Sequence, residues 1–285
     1  MDPQLASAVA GALGAPVSDA APVHGGDVAI AYGVQLADGR RVFVKTHRNP
    51  PPGFFSTEAA GLTWLADAGA VDIPTVLASS DDSPALLALS WIERGTAVAS
   101  TEEDLGRRLA ALHRAGALCF GREDRRTTGS RALPNEPTAT WAEFYARCRL
   151  LPLARLAAGV LGASTIDRLV ALAGRLESLG GPPEPPARLH GDLWAGNRIV
   201  GAGGRSWLID PAAHGGHREF DLAMMRLFGG FGEACFAAYD EVFPLADGWP
   251  ERVALHQIAP LVVHAIKFGG GYVHAATEAI ERYAA

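Results

Sequence analysis

The sequence predicts an α+β chain in two parts: a small β-rich N-terminal unit to about residue 93, and a larger, mainly helical unit over residues 94–285. Three observations predict it. Apolar and β-branched residues alternate from Val28 to Leu36 and again from Arg41 to Lys45, the period of a strand with one buried face. From Ser100 onward the period changes, with Leu105, Leu109 and Leu112 opening a series at helical spacing. A chain of 285 residues with 48% hydrophobic content also has enough length and apolar surface to bury such a core.

Taken in order, the first two strands meet around Ala37-Asp38-Gly39, a hairpin with a glycine turn. Phe55, Glu58, Leu62 and Leu65 then share one narrow arc of a helix, so Glu58 sits on an inward stripe. Residues 85–92 form a continuous apolar run suited to a buried strand, and Glu93-Arg94-Gly95 ends it as a crossover. Ser100 and Glu103 are spaced as a capping box for the next helix. Residues 121–140 are polar and read as a loop. Helices are expected from Trp141 to about Ala158 and from Ser164 to Leu179, where Gly180-Gly181 and the prolines up to Pro186 stop the pattern. After Asp210 the chain is expected to be helical to its end.

Composition narrows the functions. A formal charge of −6, with both signs mixed along the chain, offers no basic stripe for a nucleic-acid backbone. No apolar run approaches the roughly 18 residues that span a bilayer. Met1-Asp2-Pro3 places an acid where a secretory signal would be basic, so a cytoplasmic location is expected. Cys119, Cys148 and Cys235 are odd in number and lack a C-x-x-C pair, which points to reduced thiols. Cys148 shares a helical face with Trp141, Phe144 and Leu151, and a packed thiol is the stronger reading there.

The chemistry concentrates in His190-Gly191-Asp192-Leu193-Trp194-Ala195-Gly196-Asn197 and Ile209-Asp210-Pro211. An Asp, an Asn five residues on and a second Asp thirteen residues later fit phosphoryl transfer. Asp192 can accept the proton of an attacking hydroxyl, while Asn197 and Asp210 offer hard oxygen ligands to Mg2+ bridging nucleotide phosphates. Of the 25 basic residues only Lys45 and Lys267 are lysines. A compact ammonium at the end of an apolar strand suits phosphate oxygens, and the inward Glu58 needs a cation. The two explain each other as a strand lysine held by a helix glutamate. Gly25-Gly26-Asp27 would let backbone amides approach the ATP phosphates, although two glycines also make an ordinary turn. His214 and His217 form H-x-x-H, a weak zinc signal without further ligands. No G-x-x-x-x-G-K-S/T occurs, against a P-loop enzyme.

These residues give the chain a resemblance, nearly end to end, to the fructosamine kinase (ketosamine 3-kinase) family of the protein-kinase-like fold. It is carried by Phe43-Val44-Lys45, Glu58-Ala59-Ala60-Gly61-Leu62, Leu109-Ala110-Ala111-Leu112-His113 and Leu189 to Asn197. Further on it is carried by Ile209-Asp210-Pro211-Ala212, Arg218 to Met224, Leu227 to Phe231, and His264 with Phe268-Gly269 and Tyr272. The resemblance implies a two-lobed fold with a nucleotide-binding lobe to residue 93, followed by a catalytic and substrate-binding lobe. ATP and Mg2+ would lie between the lobes, with backbone groups of Ser90, Trp91 and Ile92 at adenine. It implies transfer of the γ-phosphate of ATP to the sugar 3-hydroxyl of a ketosamine, either small or on a glycated protein lysine, so that the amine is later freed. Trp194, Glu219 and His264 are the candidate substrate contacts. Departures occur at Ser90, where relatives commonly carry an acid, and at His214 and Gly215, where they often carry tyrosines. Two other readings stand beside this one: an aminoglycoside or amino-alcohol phosphotransferase of the same fold, and a nucleotide-binding pseudokinase.

Overall fold

The computed structural model describes residues 1–23, 29–124, 127–128 and 132–283. The chain divides into two compact units, Met1–Thr101 with Arg198–Pro211, and Glu102–Asn197 with Ala212–Ala285. The first unit thus runs a little past residue 93 and takes back a later segment. That segment is held by backbone bonds from Gly95 N to Val200 O and from Leu208 N to Asp72 O, both 2.9 Å.

The first unit opens with a helix the strand pattern does not announce, α1 (Pro3–Leu13). Asp2 accepts from Leu5 N at 2.9 Å and Pro3 occupies the first turn, where its missing N–H costs nothing. Five antiparallel strands follow: β1 (Val17–Val23), β2 (Ile30–Leu36), β3 (Arg41–Thr46), β4 (Val76–Ser80) and β5 (Leu86–Ser90), in the order β1-β2-β3-β5-β4. The register pairs Ala31 with Lys45 and Lys45 with Leu87. Directly opposed residues share a face, so Lys45 stands on the side opposite Val44. Val34, Leu36, Val42, Val44, Leu86 and Ala88 pack on the other face with Leu5 and Val9 of α1. Helix α2 (Phe54–Ala66) has no side-chain cap of its own. Asp81 supplies one from the β4–β5 loop, accepting from Phe55 N at 2.8 Å and Ser56 N at 3.2 Å. The apolar run stops as a strand at Ser90, and Trp91 and Ile92 continue outside it.

Helix α3 (Thr101–Arg114) leads into the second unit. The expected capping box does not form: Glu103 instead pairs with Arg107 at 3.2 Å. Within the loop predicted over 121–140, β6 (Thr127–Thr128) and β7 (Leu133–Pro134) pair briefly. The helix predicted from Trp141 is α4 (Trp141–Tyr145) and α5 (Leu151–Leu156) with a π turn at Ala146–Leu150 between them. Pro152 has no N–H for the carbonyl of Cys148, and Arg149 Nη1 donates to that oxygen at 2.9 Å. Next come α6 (Ala163–Ala173) and α7 (Leu176–Leu179), interrupted at Gly174. Then follow β8 (Ala187–Leu189), β9 (Arg198–Val200), β10 (Ser206–Leu208) and β11 (His214–Gly216). β9 pairs with β10 in the first unit, and β8 with β11 in the second.

Helices α8 (Glu219–Phe228), α9 (Glu233–Val242), α10 (Trp249–Phe268) and α11 (Gly271–Glu281) complete the chain. The apolar faces of α8, α10 and α11 close one core that includes Trp141, Phe144, Leu169, Phe220, Ile258 and Ile280, burial that stabilises by about 2 kcal/mol per large side chain. Pro260 interrupts the bonding of α10. The carbonyl of His256, four residues back, lies 3.2 Å from the Tyr145 hydroxyl, which lies 2.9 Å from that of Leu255. Among the described residues, no helix is long and apolar enough to cross a membrane. Cys148 and Cys235 are buried, and burial pushes the Cys148 thiol up rather than activating it.

Candidate active site

In the first unit the functional charges gather on Lys45. Its Nζ lies 2.7 Å from Glu58 Oε1 and 2.5 Å from Asp210 Oδ1. Strand β3 points the lysine away from the α1 core, α2 brings Glu58 to it, and the β9–β10 hairpin delivers Asp210 just beyond its second arm. Burial alone would push the ammonium down, but the two carboxylates outweigh it and hold Lys45 above its ordinary range. Asp210 adopts φ +55°, a left-handed conformation that costs an L-residue about 1 kcal/mol or more. The pairing with Lys45 favours this geometry.

The expected adenine contacts follow β5. Ser90 and Thr75 exchange two bonds: Ser90 N donates to Thr75 O, and Thr75 N donates to Ser90 Oγ, both at 2.9 Å. The Ser90 amide is therefore engaged within the unit. The Trp91 ring lies beneath the Arg41 guanidinium, 3.7 Å from its centroid. It also lies so close to β2 that a Cβ on Gly33 would come within 3.0 Å of it. Gly25 and Gly26 lie outside the described residues.

In the second unit the candidate catalytic loop runs from β8. Gly191 has φ +80°, and a Cβ there would fall 2.1 Å from the carbonyl oxygen of Ala212, so only glycine fits this turn. Asn197, buried at the end of a short 3-10 turn, donates from Nδ2 to Asp192 O at 2.8 Å and to Asp192 Oδ2 at 3.0 Å. The amide thereby fixes the carboxylate of the proposed base. Trp194, two residues beyond Asp192, is 40% exposed, with its ring over Gly196 and edge-on to Phe228 at 5.8 Å.

Behind this loop stand residues to which the sequence alone assigns no role. Asp221, fully buried on α8, accepts from His190 N at 2.7 Å and from Gly191 N at 2.9 Å. His113 Nε2 lies 3.3 Å from the same carboxylate, and its Nδ1 lies 2.8 Å from the Tyr239 hydroxyl. Burial works against the Asp221 charge, yet His113, His190 and the Gly191 amide keep its carboxyl below the usual range. Asp221, backed by His113, ties down the backbone of the loop that carries Asp192. Their signal was their place in the stretches Leu109–His113 and Arg218–Met224, which carry the resemblance without stating a role.

Two candidate contacts turn out differently from each other. Glu219 is 1% exposed, and both its oxygens are taken by Arg252, at 2.6 and 2.8 Å. Burial opposes its charge, but Arg252 and His256 hold the carboxyl down to about 2. The geometry therefore makes Glu219 a buried structural ion pair and not a substrate contact, a correction to the sequence expectation. His264 is half-buried, with Nδ1 2.8 Å from Pro260 O and its ring 5.0 Å from that of Phe228.

The H-x-x-H pattern also resolves. His217 gathers with Glu219 and His256, and His214 packs elsewhere, stacked on Phe144 at 5.3 Å. His217 Nδ1 accepts from Glu219 N at 3.3 Å, so in the neutral ring Nε2 carries the proton and offers a metal no lone pair. Arg252 is already across both oxygens of Glu219, while His217 Nε2 and both ring nitrogens of His256 are buried without a hydrogen-bond partner among the described residues.

The fructosamine kinase family model matches residues 1–285. The chain belongs to the fructosamine kinase family. It is 39% identical over 265 residues to a "probable ketoamine kinase" of Thermus thermophilus, covering 92% of each chain. To the "protein-ribulosamine 3-kinase, chloroplastic" of Arabidopsis thaliana it is 31% identical over 270 residues, which is 92% of this chain and 81% of that one. The crystal structure of the "putative fructosamine-3-kinase" of Thermobifida fusca superposes with a TM-score of 0.90 at 38% identity, covering 98% of both chains. The α+β protein-kinase-like fold expected from the sequence is thereby established. The chain is an ATP-dependent kinase.

Proposed function

We propose that this kinase transfers the γ-phosphoryl group of ATP to the 3-hydroxyl of a ketosamine sugar, giving a ketosamine 3-phosphate whose breakdown frees the amine. The observation that carries the reading is the ammonium of Lys45 held by Glu58 and Asp210 at 2.7 and 2.5 Å. These are the groups that phosphoryl transfer needs around nucleotide phosphates. Membership of the family supports the ketosamine acceptor, and the names of relatives support fructosyl and ribulosyl sugars as the first compounds to try. The supply of ATP and the free thiols support a cytoplasmic location.

In this reading the Asp192 carboxylate, oriented by Asn197, receives the proton of the acceptor hydroxyl. The freed oxygen lone pair forms the new bond to phosphorus as the bond from phosphorus to the ADP oxygen breaks, and ADP leaves with the electron pair of that broken bond. Lys45 holds phosphate oxygens in place. Asn197 and Asp210 suit Mg2+, because an amide oxygen and a carboxylate are hard donors and Asn197 turns its Nδ2 toward Asp192, which directs Oδ1 the other way. When bound, the ion would neutralise charge on the phosphates. Ser90, Trp91 and Ile92 would seat the adenine, with Gly25 and Gly26 near the phosphates. Trp194 and His264 would border the acceptor.

Phosphorus NMR of the product formed from fructosyl-lysine or ribulosyl-lysine tests the reading, because it reports both the acceptor and the phosphorylated position. A 3-phosphate is the expected product. Consumption of ATP with aminoglycosides alone, and with no ketosamine, would overturn the assignment in favour of the amino-alcohol alternative.

A further inference from the structure

Helices α8 and α10 both end on Phe-Gly-Gly: Phe228-Gly229-Gly230 and Phe268-Gly269-Gly270. The carboxyl end of a helix carries partial negative charge on carbonyls that lack intrahelical donors. The two ends meet through aromatic rings. Phe228 lies 5.0 Å from His264 and 6.4 Å from Tyr272, and Phe268 lies 5.6 Å from His264 and 5.9 Å from Tyr272. The faces of such rings are also negative, and they attract cations within about 6 Å of the centroid. One face already shows that preference, since Lys267 Nζ stands 4.8 Å from the Phe268 centroid. The array is open to solvent, with Phe268 50% and Trp194 40% exposed, and Trp194 joins it to the catalytic loop through its contact with Phe228.

We propose that this aromatic cradle at the carboxyl ends of α8 and α10 is the subsite for the amine half of the acceptor, and that it recognises the positive charge of a secondary ammonium. The inference rests on the ketosamine reading above and deepens it. A ketosamine joins a neutral sugar to an amine that is protonated at neutral pH. The sugar offers hydroxyls to the catalytic loop, and the ammonium and its apolar substituent are the parts that rings and helix ends favour. Recognition by charge separates true ketosamines from sugars of the same shape with a neutral link.

The test compares two acceptors that differ in one group: 1-deoxy-1-(alkylamino)fructose and its thioether counterpart, in which sulfur replaces the ammonium. At neutral pH the native enzyme is expected to favour the ammonium compound about tenfold in kcat/KM, the size of a partly desolvated cation–π contact. Phe268→Leu and Tyr272→Leu keep the apolar volume and remove a ring, and each is expected to bring the ratio to about threefold or less. Tyr272→Phe, which keeps the ring, retains it. A ratio near one in the native enzyme, or an unchanged ratio in both leucine variants, overturns the subsite. If neither compound is phosphorylated while another acceptor is, the ketosamine reading falls and takes the subsite with it.

Discussion

The two units hold their functional charges by opposite means. In the first, the candidate phosphate-site groups hold one another: Glu58 and Asp210 both pair with Lys45, and the side chains of Lys45, Glu58 and Asp210 are 10%, 14% and 33% exposed. In the second, Asp192 is held by an amide from Asn197, while the loop that carries it is tied at two backbone N–H groups to Asp221, a fully buried carboxylate that does no chemistry of its own. Further buried pairs stand near it, Glu219 with Arg252 and Glu184 with Arg218. Lys45 and Glu58 are themselves buried, so the difference lies in the pairing: the first unit sets two acids against one base, and losing one acid also removes a repulsion, whereas breaking one of the second unit's one-to-one pairs leaves an uncompensated charge. The contrast therefore separates activity from stability. Replacing an acid of the first unit's triad should act mainly on turnover, and substitutions behind the second unit's loop should act on turnover and folding together.

Asp192→Asn should have the largest effect, since an amide cannot accept the hydroxyl proton. Turnover is expected to fall by about 10³-fold, within the range of a lost general base, with ATP binding nearly intact. Steady-state kinetics with nucleotide-binding calorimetry checks both halves. Unchanged turnover would refute the role of Asp192 as the base.

Asp221→Asn should come next. The amide can offer one oxygen where the carboxylate served His190 N, Gly191 N and His113, so a buried donor loses its partner at a cost of about 1–3 kcal/mol. Turnover is expected to fall about 10²-fold through misplacement of Asp192, and the thermal midpoint should drop by several degrees. Loss of activity with no change in midpoint would contradict the scaffold role.

Acid should weaken the second unit through its histidines. His214 is held down to about 3, first by burial and then by Arg149, and His217 to about 4, first by burial and then by His256. Between pH 6.5 and 4 the unfolded chain takes up protons that the folded rings refuse, so stability is fully present above 6.5 and is lost as pH falls through that window. A loss of at least about 2 kcal/mol by pH 4.5 is expected, read from urea unfolding at stepped pH. His214→Asn should make the slope shallower. A flat profile over the window would mean that the folded rings accept protons.

How much of this was legible follows the same division. The candidate reacting groups of both units could be read locally: Glu58 falls on the inward arc of its helix, lysine is scarce, and Asp192 and Asn197 of the second unit stand a short stretch before Asp210 of the first. Helix α1 was also signalled, by Asp2-Pro3 at one end and Gly14 at the other, but an apolar-period search that begins with strands passes over it. Behind the second unit's loop the deciding pairs are remote. His113 meets Asp221 across 108 positions, and Glu219 meets Arg252 across 33. An inward carboxylate announces that it needs a partner, but not which cation will arrive once the helices pack. Glu219 accordingly read as a substrate contact until Arg252 was seen to occupy both its oxygens.

Glu58→Gln should have the smallest effect and makes the sharpest comparison with Asp221→Asn. The amide oxygen can still accept from Lys45 Nζ, so the ammonium keeps a contact there and retains the full charge of Asp210. What it loses is the second charge that steadies its position over the phosphates. Turnover is expected to fall about tenfold with a raised KM for ATP, while the thermal midpoint stays within about a degree, because removing one carboxylate from a triad with two acids and one base also removes a repulsion. Kinetics and thermal melts on the same preparation decide it. A large fall in midpoint would show that the first unit, like the second, folds around its charges, and the contrast between the two would disappear.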